Sequence, residues 1–387
     1  MPSVEDSEAI LESKWHIWAE RESFKRYAPL ESVYVCQTHK VSRLVLHLFA
    51  HDVFASAGLQ KPPLMSFTEL KFGLPCTEEL WKARSASRWR EVYLSTMTTH
   101  QIPDFMDVLF DPKLLTMHER QVNVHLSALT ILHGFWVQIW NNLETKKYYV
   151  PARTTHRLCL LTSQTELYRD LVSFGAQLPS YTQNSAEATL MCELYMMILH
   201  APPEDLQRFA GRFGEDEADD ATEEFKGWIG TQDSRNAVWH AGQVFKAAAL
   251  LGPMQLRGFN SIALYYATLT LWVFGLMSSE VNQSAQQSTM INEQIALNEV
   301  ETVYSASFRD RNHGVPGLAV TKDGLRQFVP LHEANYVLQF ARELYTSNFP
   351  ISREPLPPLA SGLRDLLKDL SSSLLTRQTT RAPTVAL

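Results

Sequence analysis

The chain has 387 residues, a net charge of −7 and a pI near 6.0, a balance that disfavours a domain binding nucleic acid through its own basic surface. Apolar residues make up 45%, with nine Trp and only 16 Gly, which suits large helix-to-helix packing and argues against a turn-rich β fold or a glycine-rich nucleotide loop. The four cysteines, Cys36, Cys76, Cys159 and Cys192, lack the spacing of a zinc site or a disulfide scaffold and read as buried thiols of an intracellular protein.

In chain order, MPSVEDSEAI carries no basic-then-apolar leader pattern. A first helix is predicted over 6–27, anchored by Trp15, Trp18, Phe24 and Tyr27 and ended by Pro29. A second runs over 33–58, with Leu44, Val45, Leu48, Phe49 and Val53 at helical spacing and Gly58 as a stop. Pro62–Arg90 then forms a packed elbow. Pro62-Pro63 forces a turn, and Thr77-Glu78-Glu79 supplies a capping hydroxyl and acids to a short helix carrying Leu80 and Trp81. Helical character resumes over 87–100, and 101–117 reads as a loop with a short helix. Residues 118–143 form a long helix apolar over most of its girth. Helices follow over 155–177, with Pro179 as punctuation, and 185–200. Residues 204–213 can be helical.

The run Glu215–Glu224 is predicted to be a solvated loop or the acidic start of a short helix. Asp233-Ser234 caps a helix through Leu251, and 258–278 is an uncharged helix. Its stretch 259–277 approaches the length of a bilayer span, but its Asn, Ser, Thr and Tyr favour a buried core helix. Residues 279–290 read as a polar linker, 291–310 as a polar helix and 312–330 as a loop. Helices over 332–346 and 361–375 flank a Pro-rich stretch, and 379–387 reads as a disordered tail. The fold class expected is all-α: an irregular array of roughly ten to twelve helices without a sheet, one large domain over 1–378.

Chemistry is sparse. His47 and His51 stand at i, i+4, a spacing that can hold a metal, although an amphipathic helix edge explains them as well. Glu215, Asp216, Glu217, Asp219 and Asp220 have the composition of a Mg²⁺-binding cluster in an α-helical terpene cyclase, but lack apolar partners and a second metal motif. Cys159 or Cys192 beside His156, His200 or His240 would be a thiol nucleophile; each thiol lies in an apolar helix, where an inert buried group is expected. Basic residues among aromatics (Lys14, Trp15, Arg21, Phe24, Lys25, Arg26) alternate with acids and read as a solvated face. No catalytic, cofactor-binding or metal-binding residue is assigned, and the chain reads as an interaction or regulatory domain rather than an enzyme. The alternative is an all-α enzyme acting on an apolar substrate, using the acids near Asp216.

Several blocks, in order, resemble the regulatory (middle homology) domain of fungal-specific transcription factors, particularly those with Cys2His2 fingers or a zinc cluster. They are Trp15, Trp18 and Glu22–Arg26; Leu48-Phe49 with Asp52; Pro62-Pro63-Leu64-Met65-Ser66 with Glu69-Leu70; Leu74-Pro75-Cys76; Glu79–Ala83 with Trp81; Ser87 and Trp89; Trp239-His240-Ala241-Gly242-Gln243-Val244-Phe245; and Glu333-Ala334 through Leu344-Tyr345. The resemblance implies a nuclear regulator of RNA polymerase II transcription, with a role in secondary metabolism among those it suggests. It implies protein partners or self-association and no membrane. It marks Pro62, Pro63, Glu69, Pro75, Cys76, Trp81, Trp89, Trp239 and His240 as motif residues with packing roles. The family's closely spaced zinc ligands do not occur in these residues, so zinc and DNA contact are implied only for a separate module. The acidic run and the C-terminal leucine helix are the expected interaction elements.

Overall fold

The computed structural model describes residues 1–23, 45–70, 73–96, 102–149, 154–181, 186–284, 293–322, 324–350 and 356–381, and among these described residues the regular structure is sixteen helices, one 3-10 turn and a three-stranded sheet. The expectations for 24–44, 285–290 and 351–355, and for Cys36, lie outside the described residues. The chain divides into two compact units, Met1–Ser185 and Ala186–Leu387.

The first unit contains α1 (Glu8–Ser23), α2 (Val45–Leu59), the 3-10 turn Phe67–Glu69, α3 (Glu78–Trp81), α4 (Ala86–Thr96), α5 (Phe105–Phe110), α6 (Lys113–Met117), α7 (Val124–Tyr149) and α8 (Thr154–Tyr181). The broad apolar girth of α7 explains its place. It buries Ile131, Leu132, Phe135, Trp136 and Ile139 and packs against α2, α5 and α8. Trp136 donates its indole N–H to Ser56 Oγ at 2.9 Å, tying α7 to α2. α8 buries Leu167, Leu171, Phe174 and Leu178 along one face. Cys159, in the first turns of α8, is exposed, not buried as expected. Pro179 falls inside α8 rather than ending it.

The second unit holds α9 (Ala186–His200), α10 (Pro203–Phe209), α11 (Glu215–Trp228), α12 (Gln232–Leu250), α13 (Phe259–Ser284), β1 (Gln294–Ala296), α14 (Val303–Arg311), β2 (Val315–Lys322), β3 (Leu325–Pro330), α15 (Ala334–Asn348) and α16 (Pro358–Arg381). α9, α12 and α13 pack together as its centre. Among the described residues α13 is the one helix long and apolar enough to cross a membrane, and 83% of that stretch is buried. Three of its buried hydroxyls are absorbed locally. Ser261, Thr268 and Thr270 donate to the carbonyls of Leu256, Leu264 and Tyr266, so a core position does not leave them unpaired.

The expectation of ten to twelve helices without a sheet is wrong on both counts. β1 pairs with β2 in parallel, Gln294 opposite Val315, and β2 with β3 antiparallel, Leu318 opposite Val329. The described residues of 312–330 thus form a hairpin, not a loop, and those of 291–310, from 293 on, hold a strand followed by α14, not one helix. Burial of Ile295, Leu318, Val320 and Val329 anchors the sheet. Thr231, not Asp233-Ser234, caps α12: its hydroxyl accepts the Ser234 N–H at 3.2 Å.

Two glycines set how closely these layers approach. A Cβ at Gly275 on α13 would lie 2.0 Å from the Leu331 carbonyl oxygen, and one at Gly242 on α12 would lie 2.4 Å from Leu297 Cβ and 2.5 Å from its carbonyl oxygen. Backbone cannot swing away as a side-chain tip can, so Gly275→Ala and Gly242→Ala should each cost about 1–3 kcal/mol or more. Gly227, near the exposed end of α11 with nothing within 4 Å, should respond with the opposite sign, Gly227→Ala gaining about 0.5–1 kcal/mol. Chemical denaturation of the three variants checks this; a stabilised Gly275→Ala would contradict the close approach.

Candidate functional site

The motif residues fall in two places, one in each unit. In the first, the elbow is pinned at every step. The Asp52 carboxylate accepts the backbone N–H groups of Leu64 and Met65 at 2.8–3.0 Å, fixing the turn that Pro62-Pro63 imposes. Ser66 caps the 3-10 turn through Thr68 N–H. Glu69 ends that turn, and its side chain is outside the described residues. The chain then crosses two bridges, Gly73 to Asp104 and Cys76 to Val122, with Asn123 N–H donating to the Pro75 carbonyl at 2.7 Å. The buried Glu22 carboxylate of α1 accepts the Cys76 N–H at 2.6 Å.

Behind these contacts Leu11, Cys76, Leu80, Ala86, Trp89, Val92 and Tyr93 form one cluster, with Trp15, Trp18, Ala83 and Ile102 against it. Pro75, Cys76 and Trp89 are buried, Pro63 and Trp81 are half-buried, and Pro62 is exposed. The neighbouring Leu80, not Trp81, fills the core at α3. Thr77 stands at the N-cap of α3, but its hydroxyl makes no capping bond.

In the second unit, Trp239 and His240 of α12 meet different neighbours, Arg309 and Glu193. Arg235, Trp239 and Gln243, at i, i+4 and i+8, face the segment 297–311. Arg235 Nε donates to the Arg309 carbonyl at 2.8 Å and its Nη1 to the carbonyls of Gly230 and Thr231. The Arg309 guanidinium lies over the Trp239 ring at 5.5 Å. Gln243 donates to the carbonyls of Leu297 and Glu299 at 2.6 and 2.8 Å. Asn298 continues the seam, bonding both the carbonyl and the N–H of Ala319 at 2.8 Å. α12 therefore holds the segment that follows β1 and the end of α14 through side-chain bonds to their backbone. Over the sheet, Ile295, Glu299, Tyr304 and Arg326 help line a cavity of about 380 Å³. His240 Nδ1 meets Glu193 Oε2 at 2.6 Å, a buried contact between α12 and α9. Sequence reasoning marked Trp239 and His240, quoted Gln243 only as part of their block and missed Arg235; the distant carbonyls these two reach lie 54–75 residues away.

The acidic run is helical from Glu215 to Trp228, not a loop. Acids in its first turn suit the helix dipole, and Ala218, Ala221 and Phe225 form its buried row. Phe225 meets Phe209 edge to face. All seven acids point outward and are exposed. Arg208 bridges Glu217 and Glu224 at 2.9 and 3.0 Å; the Glu224 hydrogen bond, first among the causes, raises the Arg208 pKa. Glu215, Asp216, Asp219 and Asp220 carry no ion pair among the described residues. The inward-facing acids of a cyclase pocket are therefore not what this helix presents. Nor is Cys192 placed as a nucleophile: it is buried, and burial pushes its thiol well up.

The leucine helix α16 packs on α15 through Ala360 and Leu367, while Leu359 and Leu366 are exposed. Side chains beyond Ser372 are outside the described residues.

Two relatives are similar over most of the chain. Transcription factor PfmaH of Pestalotiopsis fici is 24% identical over 280 residues, covering 65% of this chain and 28% of its own length. Zinc finger protein klf1 of Schizosaccharomyces pombe is 24% identical over 301 residues, covering 70% of this chain and 34% of its own. The chain thus spans about a third of the length of these curated relatives. No family model matches it, and no solved structure does. The chain is thus distantly similar to two fungal proteins, one named as a transcription factor and one as a zinc finger protein.

Proposed function

We propose that this chain is the helical regulatory portion of a fungal transcription regulator, acting in the nucleus on transcription by RNA polymerase II through protein contacts. The observation that carries the reading is the pair of similarities above, to proteins named as a transcription factor and a zinc finger protein, each running over about two thirds of this chain. The site geometry is compatible with it. The motif residues serve packing, and the distinctive surface is a charged helix rather than a reactive pocket. DNA contact belongs in this reading to a separate zinc-bearing segment or chain, in keeping with the net charge of −7.

The partner-facing element is the outer face of α11. Its four unpaired acids make a compact negative patch that a basic partner surface would recognise and that salt would screen. Changing Asp216, Asp219 and Asp220 to Asn and Glu215 to Gln leaves the buried row of α11 intact. The substitutions should lower transcriptional output in a tethered reporter assay while lowering the melting temperature only slightly, through the loss of two favourable charges at the helix N-terminus. Unchanged output would remove α11 from the account.

A further inference from the structure

α16 packs on α15 through Leu367, and the Ser371 hydroxyl of α16 bonds the Asn335 side chain of α15 at 3.3 Å. Beside that seam the two helices border a cleft of about 710 Å³, within the range of about 300–1,000 Å³ typical of small-molecule sites. Five charged residues line it: Arg342 and Glu343 from α15, and Arg364, Asp365 and Lys368 from α16. Both carboxylates are engaged. Asp365 accepts from Arg364 Nη2 at 3.1 Å, and Glu343 accepts from the Gln339 amide at 2.8 Å. The Arg342 and Lys368 side chains have no acceptor among the described residues. Arg342 Nε is moreover shut off from solvent, and a charged N–H group buried without an acceptor is costly.

We propose that this cleft binds a small molecule through one oxyanion, a phosphate or a carboxylate, held by Arg342 of α15 and Lys368 of α16. An oxyanion supplies the acceptor that Arg342 lacks. The planar guanidinium offers it a fork of N–H donors, and the ammonium adds a compact point charge. Arg364, one turn before Lys368, brings a third positive charge that Asp365 offsets. With three cations against two acids, the cleft is locally positive on a chain of net charge −7. The two acids repel a polyanion at this short range, so a ligand with a single anionic group fits and a nucleic-acid backbone does not.

Titration calorimetry of the full-length chain with sodium phosphate and with sodium succinate, at matched ionic strength, tests this directly. At least one of the two anions is expected to bind at a single site. Its affinity should fall at least about tenfold in Arg342→Gln and in Lys368→Gln, the scale of one lost charge-assisted hydrogen bond. It should not fall in Glu343→Gln, which removes a negative charge from the same cleft. Tighter phosphate binding assigns the site to phosphate-bearing ligands, and tighter succinate binding to carboxylic acids. No heat above the dilution blank with either anion would overturn the proposal. So would affinity undiminished in Arg342→Gln and Lys368→Gln, which would place the anion elsewhere. Should Arg342→Gln fail to fold, Lys368→Gln, at an exposed position, decides the matter alone.

Discussion

Trp89→Ala is expected to lower the stability of the N-terminal unit by about 3–5 kcal/mol. The indole is fully buried. It lies in the cluster that joins α1, the elbow and α4, with ring centroids 5.5 Å from Trp18 and 5.8 Å from Tyr93. Truncation removes both aromatic contacts and leaves a cavity walled by Leu11, Leu80 and Val92, which are themselves fixed by their helices. A void that cannot collapse costs more than the lost transfer energy. Trp81 is the control. It is half-buried, so Trp81→Ala should cost less than about 2 kcal/mol. Denaturant unfolding followed by tryptophan fluorescence separates the two. Equal losses would mean that the elbow's packing is not organised around Trp89.

A pH dependence of comparable size is expected from His133. The ring is wholly buried on α7, and burial lowers its pKa from the ordinary 6.5 to about 3. Phe49 and Phe54 of α2 present their rings edge-on at 6.0 and 5.2 Å, and Nε2 has no hydrogen-bond partner. The folded state therefore keeps the ring neutral, while the unfolded chain takes up a proton below pH 6.5. Stability is unaffected above that value and falls as pH drops toward 3, by about 1.4 kcal/mol per pH unit. At pH 5 the loss is about 2 kcal/mol. Other groups titrate in the same window, so the useful quantity is the difference from His133→Leu. That variant cannot titrate at this position and should lose about 2 kcal/mol less between pH 7 and pH 5. Parallel pH profiles for the two proteins would show that water or a partner reaches the ring.

The sequence was legible where periodicity was strong. α7, α9, α12 and α13 carry apolar residues over enough of their girth that their buried positions follow from the pattern alone. The hairpin was not legible. Gly314, Pro316, Gly317 and Gly324 in 312–330 look like loop residues, yet Pro316 and Gly317 lie in β2, Gly324 just before β3 and Gly314 just before β2. Gly314 and Gly324 have φ of +104° and +76°, conformations that favour glycine. A Cβ at Gly317 would lie 2.4 Å from both Phe328 and the Val329 carbonyl, so glycine is what lets β3 lie close. The Asp323-Gly324 dipeptide was the available hairpin signal. α11 was hidden differently. Its seven acids dominate the composition, while the row Ala218, Ala221 and Phe225 that docks it is small. Of the motif residues, Trp89 and Trp239 are buried and Trp81 is half-buried. The polar seam of Arg235 and Gln243 depends on carbonyls brought near only by the fold, and no local pattern announces it.

The central claim, that these residues regulate transcription through protein contacts and take their DNA address from elsewhere, is tested most directly by tethering. The full chain is fused to an unrelated sequence-specific DNA-binding domain and expressed in yeast with a reporter carrying that domain's site. The account predicts that the fusion changes reporter transcription severalfold relative to the DNA-binding domain alone, and that neutralising the outer acids of α11 removes most of the change. A fusion present in the nucleus at equal abundance that leaves the reporter unchanged would contradict it.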